Sequence, residues 1–505
     1  MSSSPPADDD EQPIVLRDES TGLEAHIVRA GAALQRLLVP VKNDERDAGA
    51  DADADAAATA DGAPAAAASK RLRRDVVLGY ASPADYLTVD PTCYLGAVVG
   101  RLANRVAGAR FAVGGREYAL PANDGANSLH GGARGLDRRR WELVAASADA
   151  APSVAPGAAQ PPPRAASARL RYASSAGEEG YPGALEVEAV YSLPAGRVAL
   201  RLEMRARCVS PSSGGGGGGG ETGDEAFALP AEGTPVALAA HSYFNLAGSD
   251  TAPSVLAVRP GTVEDEGEDG AAAAAAAAAA TSAAAPPAAG AAPAPPHFLH
   301  MPRALFFTPL DGRQIPTGSV EPVAGTPFDF ASGPRALGER AARVPGADRP
   351  GYDHNFSLAG RGGGERAGAA AGEATAAAAT GGAATAAATA TTAPGGLLPL
   401  PEEGTGAPLP LAASLECSGL RMEVRTNAPG VQLYTGNYLG GEDGRGDGAA
   451  PAPKDGAAPY RRWAGVCLET QNWPDAVNRP GAFPSPLLKA GEEYVHVVEY
   501  CFSDV

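Results

Sequence analysis

The chain is short of the features that would give it a quick assignment. Its 505 residues hold only five cysteines, Cys93, Cys208, Cys417, Cys467 and Cys501, an odd number with no Cys-x-x-Cys pair. That excludes a disulfide framework and a zinc-ribbon signature, and points to reduced, mostly buried thiols. No run of lysine and arginine with interleaved aromatics occurs, and the formal net charge of -18 disfavours nucleic acid and anionic membranes as partners. The longest apolar run is the alanine tract from Ala271, too short and too weakly apolar to span a bilayer. The start, "MSSSPPADDDEQP", has neither the apolar core of a secretory signal nor the basic character of a transit peptide, so a soluble cytoplasmic protein is expected. No glycine-rich loop leads from a strand into a helix, which argues against a nucleotide cofactor.

Bias toward alanine, glycine and proline is abundant instead. It is concentrated in six tracts, at about 45–70, 145–168, 211–226, 263–297, 361–410 and 441–458. Such tracts carry too little bulky apolar surface to offset the entropy of ordering them. They read as insertions in surface loops and leave a folded core of roughly 335 residues, taken as a single domain over 1–505.

The remaining segments alternate with period two. In "VALRLEMRARC", Val198, Leu200, Leu202, Met204, Ala206 and Cys208 share one face, with charged residues on the other. "LEVEAVY" from Leu185, "LRMEVRT" from Leu420 and "YVHVVEYCF" from Tyr494 read the same way. "RFAVGGREYAL" predicts a hairpin around Gly114-Gly115. With no sustained helical period outside the alanine-rich tracts, the fold class is all-β, a large antiparallel β-sandwich.

Chemistry concentrates in a few motifs. His241 lies in "AHSYFNLAG" and Glu469 at the end of an apolar run in "GVCLETQNW". Histidine titrates near neutrality and suits a general acid; a carboxylate raised by partial burial suits a general base. Around them, Asn104 and Arg105 in "GRLANR", Asn127 and His130 in "NSLHGG", Asp353 in "GYDHNF" and Gln432, Tyr434 and Asn437 in "PGVQLYTGN" supply polar groups. Gln471, Asn472 and Trp473 complete the set. Paired donors and acceptors with aromatics suit a polyhydroxylated ligand, although asparagines beside glycines also suit turns. His26 and His496 read as structural, His354 as structural or supporting, and His297 and His300 as incidental.

Together these motifs resemble the aldose 1-epimerases, or galactose mutarotases. "GAVVGRLANRVAGARFAVGGREYALPANDGANSLHGG" from Gly96 matches that family's N-terminal signature, and "HSYFNLAG", "GYDHNF", "PGVQLYTGN" and "GVCLETQNWPDAVN" follow in its order. The resemblance implies a galactose mutarotase-like supersandwich with a sugar cleft across one sheet. It implies His241 as general acid at the ring oxygen and Glu469 as general base at the C1 hydroxyl. Asn104, Arg105, His130, Tyr243, Asp353 and Gln432 would hold an aldohexose, in a monomer or weak dimer with no cofactor and no metal. One departure is "ALAA" ahead of His241, where relatives often carry polar residues, so His241 is expected to lack some polar support. The inserts after Gly360 and Gly440 follow site motifs and are placed to reach the cleft mouth. Three rivals have less support: a non-catalytic sugar-binding module would lack the acid or the base, and both His241 and Glu469 are present; an enzyme for phosphorylated hexoses would want more basic residues than Arg105; and a glycoside hydrolase could use Asp353 and Glu469 as its carboxyl pair, but no motif supports hydrolysis.

Overall fold

A computed structural model describes residues 12–42, 72–89, 93–147, 165–209, 225–249, 253–257, 294–345, 351–361, 393–402, 407–440, 454 and 459–505. Among them strands dominate, and the single α-helical turn is Asp85–Thr88. Five strands carry the site and its support: β1 (Ala239–Ala240), β2 (Asp353–Ser357), β3 (Gly430–Tyr434), β4 (Val466–Gln471) and β5 (Glu493–Asp504).

The largest sheet has nine antiparallel strands. At its centre β5 pairs with Ala199–Val209 on one side and Leu420–Thr426 on the other. In Ala199–Val209 the residues Leu200, Leu202, Met204 and Ala206 are buried while the arginines between them are not, as the alternation predicted. The outer face is laced by ion pairs such as Arg201–Glu499 at 3.0 Å, which keep the face polar and add little stability individually.

A six-stranded sheet holds β4, β3 and β2 side by side, with Tyr243–Phe244 on the far edge of β4. A four-stranded sheet, Ile14 to Asp75, completes the framework. One apolar core joins all three: Leu37, Leu202, Tyr500, Phe356, Leu433 and Leu468 belong to it, and Phe244 meets Tyr500 with ring centroids 4.9 Å apart. Arg110–Val113 and Arg116–Ala119 form the predicted hairpin, with Val113 opposite Arg116.

The margins of the inserts differ from expectation. Strands Glu142–Ser147 and Ala166–Ser174 pair with each other and run into the 145–168 tract. His297, taken as incidental, is fully buried and accepts the Leu246 N–H at 3.0 Å. Gly395 lies against the Tyr494 ring. Lys454, inside the 441–458 tract, is buried, and its Nζ donates at 2.7 Å to Gln35 O, Val77 O and the Asp75 carboxylate. Lys454 is thus a point where the 441–458 tract returns to the fold. The inserts that directly follow the Asp353 and Gln432 motifs continue beyond Arg361 and Gly440 outside the described residues.

Candidate active site

The cleft lies on the face of the six-stranded sheet turned away from the common core. Successive side chains on a strand point to opposite faces. On β4, Leu468 joins the core, whereas Glu469 faces the cleft. Loops cover the cleft face as well, so all six residues of β4 are buried. Gln432 sits directly opposite Glu469 in the β3–β4 register, and Asp353 opposite Tyr434 in the β2–β3 register.

The other wall comes from the N-terminal motif. Asn104 and His130 both have positive φ, 63° and 50°, and their backbones are tied by His130 N–H donating to Asn104 O at 3.1 Å. Gly131 follows with φ of 95°, and a Cβ there would overlap the Gly100 carbonyl, so the tight turn demands glycine. Asp475, in the "NWPDAVN" segment, receives the Ala107 N–H at 3.0 Å and donates its own N–H to Arg105 O at 3.1 Å. That links the end of the β4 motif to the "LANR" loop.

The result is an open cleft lined by Tyr94, Asn104, Arg105, Leu129, His130, His241, Tyr243, Asp353, Tyr434, Tyr438 and Glu469. Of the expected acid, base and sugar-holding residues, only Gln432 stands just behind the lining, where its Nε2 donates to Asp353 Oδ1 at 2.7 Å. Gln471 in turn donates to Gln432 Oε1 at 3.4 Å, fixing which way that amide points. Arg105 Nε donates to Asp124 Oδ2 at 2.7 Å, and its Nη1 lies 3.7 Å from Asp353 Oδ2.

His241 Nε2 and Glu469 Oε1 are 3.6 Å apart. Both are desolvated, which disfavours the charged form of each. Burial lowers His241 to about 4, and burial, reinforced by the Asp353 charge, raises Glu469 well above the ordinary carboxylate range. Arg105 opposes the rise. Both shifts favour the uncharged form of the pair, a neutral imidazole facing a carboxyl group. Glu469 is 2% exposed, and its Oε2 has no hydrogen-bond partner among the described residues. A buried carboxyl oxygen left unpaired is costly for the fold and suits a group that waits for a ligand. The polar support missing from "ALAA" is replaced in part by Cys467, whose Sγ lies 3.6 Å from His241 Nδ1.

His130, His241 and Glu469 also bring donor atoms within 4.8 Å of one another, the ligand types of a zinc site. The hydrogen bonding of His130 opposes that use. Asn104 N–H donates to His130 Nδ1 at 3.2 Å, which puts the proton of the neutral ring on Nε2. A metal-bound histidine has the reverse arrangement and donates its second N–H to an acceptor. With burial and His241 holding His130 well below the usual histidine range, it is a neutral donor.

Several expectations change. Trp473 does not line the cleft; it packs on Phe483 at 5.0 Å, and its Nε1 donates to Pro429 O. Asn472, Asn437 and Asn127 hold backbone groups of neighbouring loops. The aromatic surface comes from tyrosines. Tyr94, which carried no motif signal of its own, has its ring 4.6 Å from that of His130 and 5.6 Å from that of His241. Tyr243 lies 5.0 Å from His241 on the other side. His354 is structural: buried, packed on Phe328 and accepting the Asp353 N–H at 3.3 Å.

Comparison with known proteins gives a consistent result. A sequence-family model described as "Aldose 1-epimerase" matches residues 65–213 and 413–501. Galactose mutarotase of Mus musculus is 33% identical over 429 residues, covering 85% of this chain and 84% of that one. Aldose 1-epimerase of Escherichia coli K12 is 26% identical over 435 residues, with 85% of each chain covered. Among solved structures, an aldose epimerase homologue from C. elegans shares the fold with a TM-score of 0.60 at 20% identity, over 98% of this chain and 99% of that one.

Proposed function

The chain belongs to the aldose 1-epimerase family of isomerases, and from that premise we propose that it interconverts the α and β anomers of free aldohexoses, glucose and galactose among them. The observation that carries this reading is the His241–Glu469 pair, one nitrogen and one carboxylate oxygen 3.6 Å apart in an open cleft lined by polar and aromatic side chains.

In the proposed reaction Glu469 takes the proton of the C1 hydroxyl while His241 gives one to the ring oxygen. The C1–O5 bond breaks and the open-chain aldehyde forms. Rotation about C1–C2 presents the other carbonyl face, and reclosure returns both protons. The pair holds one proton throughout: on His241 with the ring closed, on Glu469 with the ring open. Desolvation favours the second, uncharged arrangement, so the resting site is matched to the ring-opened stage. No electron changes hands, so the scheme calls for no cofactor. Acid and base help of this kind contributes about 10²–10⁴-fold.

Asn104, Arg105, His130, Tyr243, Asp353 and Gln432 hold the sugar in this reading. The proton assigned to His130 Nε2 makes it a donor to a sugar oxygen, and Arg105 sets a positive charge beside the oxygens where charge develops. Among the described residues Arg105 is the one arginine or lysine of the cleft lining, and it is already engaged by Asp124 and Asp353. That favours a neutral hexose over a phosphorylated one. The same reading takes the chain as one catalytic domain interrupted by its biased inserts. Optical rotation of freshly dissolved α-glucose and α-galactose, followed with and without protein, tests it. Relaxation to equilibrium no faster than the spontaneous rate for every aldohexose tried would refute it.

A further inference from the structure

Behind the cleft, on the core side of β4, lies a fully buried polar cluster centred on His496 of β5. It reaches both halves of the acid–base pair. His496 Nδ1 is 3.1 Å from Leu238 O, three residues ahead of His241. A carbonyl only accepts, so Nδ1 carries the proton and Nε2 the lone pair. Burial lowers His496 to about 4, in keeping with this neutral tautomer. His496 Nε2 is 2.9 Å from Thr470 Oγ1 and 3.3 Å from Thr426 Oγ1. Thr426 already gives its hydroxyl proton to Val497 O at 2.8 Å, so Thr470 is the donor to the ring. Thr470 is the immediate neighbour of Glu469 on β4 and points to the opposite face.

The Leu238 peptide is held at both ends. Its N–H donates to the Tyr494 hydroxyl at 3.0 Å, and Tyr494 lies two residues before His496 on the same face of β5. The ring of His496 is held in turn by its strand, since Asn427 bonds Val495 O at 2.9 Å and Val497 N–H at 2.8 Å. One imidazole on the central strand of the nine-stranded sheet is therefore bonded to the segment that presents the acid and to the segment that presents the base. Those two segments are more than two hundred residues apart in sequence; β1, the strand between Leu238 and His241, pairs with Val98–Val99, while Tyr243–Phe244 beyond His241 pairs with the start of β4, so the His496 bonds add a second tie on the far side of the acid.

We propose that His496 is a positioning residue, a clamp that fixes the separation of His241 and Glu469 by donating to Leu238 O and accepting from Thr470. This deepens the functional reading above and rests on it. His496 touches no residue of the cleft lining through these bonds, so its removal acts on the spacing of the pair and leaves the sugar contacts in place.

The test compares His496→Ala, His496→Gln and Thr470→Val with the unsubstituted protein, by polarimetry on α-galactose with kcat expressed per folded molecule. Misplacing a catalytic pair by about an ångström costs up to about 100-fold. His496→Ala should therefore lose about 10- to 100-fold in kcat with KM changed less than about threefold. Thr470→Val cuts the Glu469 tie alone and keeps the side-chain shape, so it should fold and lose about 10-fold. His496→Gln, which can still donate and accept, should recover most of the loss. Thr470→Val and His496→Ala variants that fold and keep kcat within about threefold of the unsubstituted protein would overturn the clamp. Should His496→Ala fail to fold, Thr470→Val decides alone. An unsubstituted protein with no activity would sink the functional reading and not the clamp, which then has a separate readout. An NMR titration of the His241 ring, faced by His130, Glu469, Tyr94, Tyr243, Tyr434 and Cys467, should move from about 4 toward ordinary histidine values in either folded variant. An unmoved midpoint overturns the clamp.

Discussion

Replacing Glu469 with glutamine separates catalysis from folding, because the structure predicts opposite signs for the two. The amide keeps the size of the carboxyl and can face His241 Nε2 across the 3.6 Å gap as a donor. It cannot accept the proton of the C1 hydroxyl. Loss of a general base is worth about 10²–10⁴-fold in kcat, or about 3–5 kcal/mol of barrier. KM should stay within a few-fold, since Asn104, Arg105, His130 and Asp353 still line the cleft. Stability should move the other way. Burial raises the folded-state pKa of Glu469 above its unfolded value. The folded chain then holds a proton that the unfolded chain releases above about pH 4.5. Stability from this group is complete below that pH and is lost as pH rises toward the folded value, at no more than about 1.4 kcal/mol per pH unit. Glutamine has no such loss, so the variant should be more stable than the unsubstituted protein at pH 7, by a margin that grows from about pH 4.5 upward. Polarimetry gives the rate and urea unfolding at several pH values gives the stability. An active variant within about threefold of the unsubstituted kcat refutes the base assignment. A variant less stable at every pH refutes the claim that the carboxyl is held at a cost to the fold.

Four further outcomes follow from the same geometry. The pH–rate profile should be flat through neutrality with an acid limb near pH 4, where His241 takes a second proton onto a pair whose carboxyl is already protonated; a limb near pH 6.5 would contradict the desolvation of His241. Five histidines, His130, His241, His297, His354 and His496, are buried with lowered pKa values, whereas Asp137, raised to about 7, and Glu469 act oppositely. Below about pH 6.5 the unfolded chain binds protons that the folded histidines refuse, so stability should fall between pH 6.5 and 4.5 by at most about 4 kcal/mol per unit, measurable as a shifting urea midpoint. Lys454→Met should destabilise by about 3 kcal/mol, because it leaves the Asp75 carboxylate and two backbone carbonyls without the buried ammonium, and an unchanged urea midpoint would show that this anchor is dispensable. Arg105→Ala should raise KM about tenfold or more and slow kcat as well, since it removes the charge that opposes the rise of Glu469; initial-rate polarimetry over a range of sugar concentrations separates the two effects.

Several elements are legible in the chain itself. Ala199–Val209 shows a period-two pattern because one face is buried and the other is wet. The Gly114-Gly115 hairpin could be read because a two-residue loop needs backbone conformations that glycine adopts easily. The strand carrying Glu469 shows no alternation, because both of its faces are covered. Its identity came from the motif and not from periodicity. Trp473 shows the limit of motif reading: its neighbour Gln471 helps orient the amide behind the cleft, while the indole, two residues on, packs outside it.

The chain by itself determined the residue types, their order, the all-β class and the family to which the site belongs, because these are written in local pattern and in motifs a few residues long. The fold alone decided that an imidazole at 241 and a carboxyl at 469 share a desolvated cleft, that tyrosines and not a tryptophan line it, and that His496 ties both strands from behind. Distance and dielectric are properties of groups brought together across hundreds of residues. Burial of both groups in one cleft, which no single segment encodes, is what lowers the imidazole and raises the carboxyl.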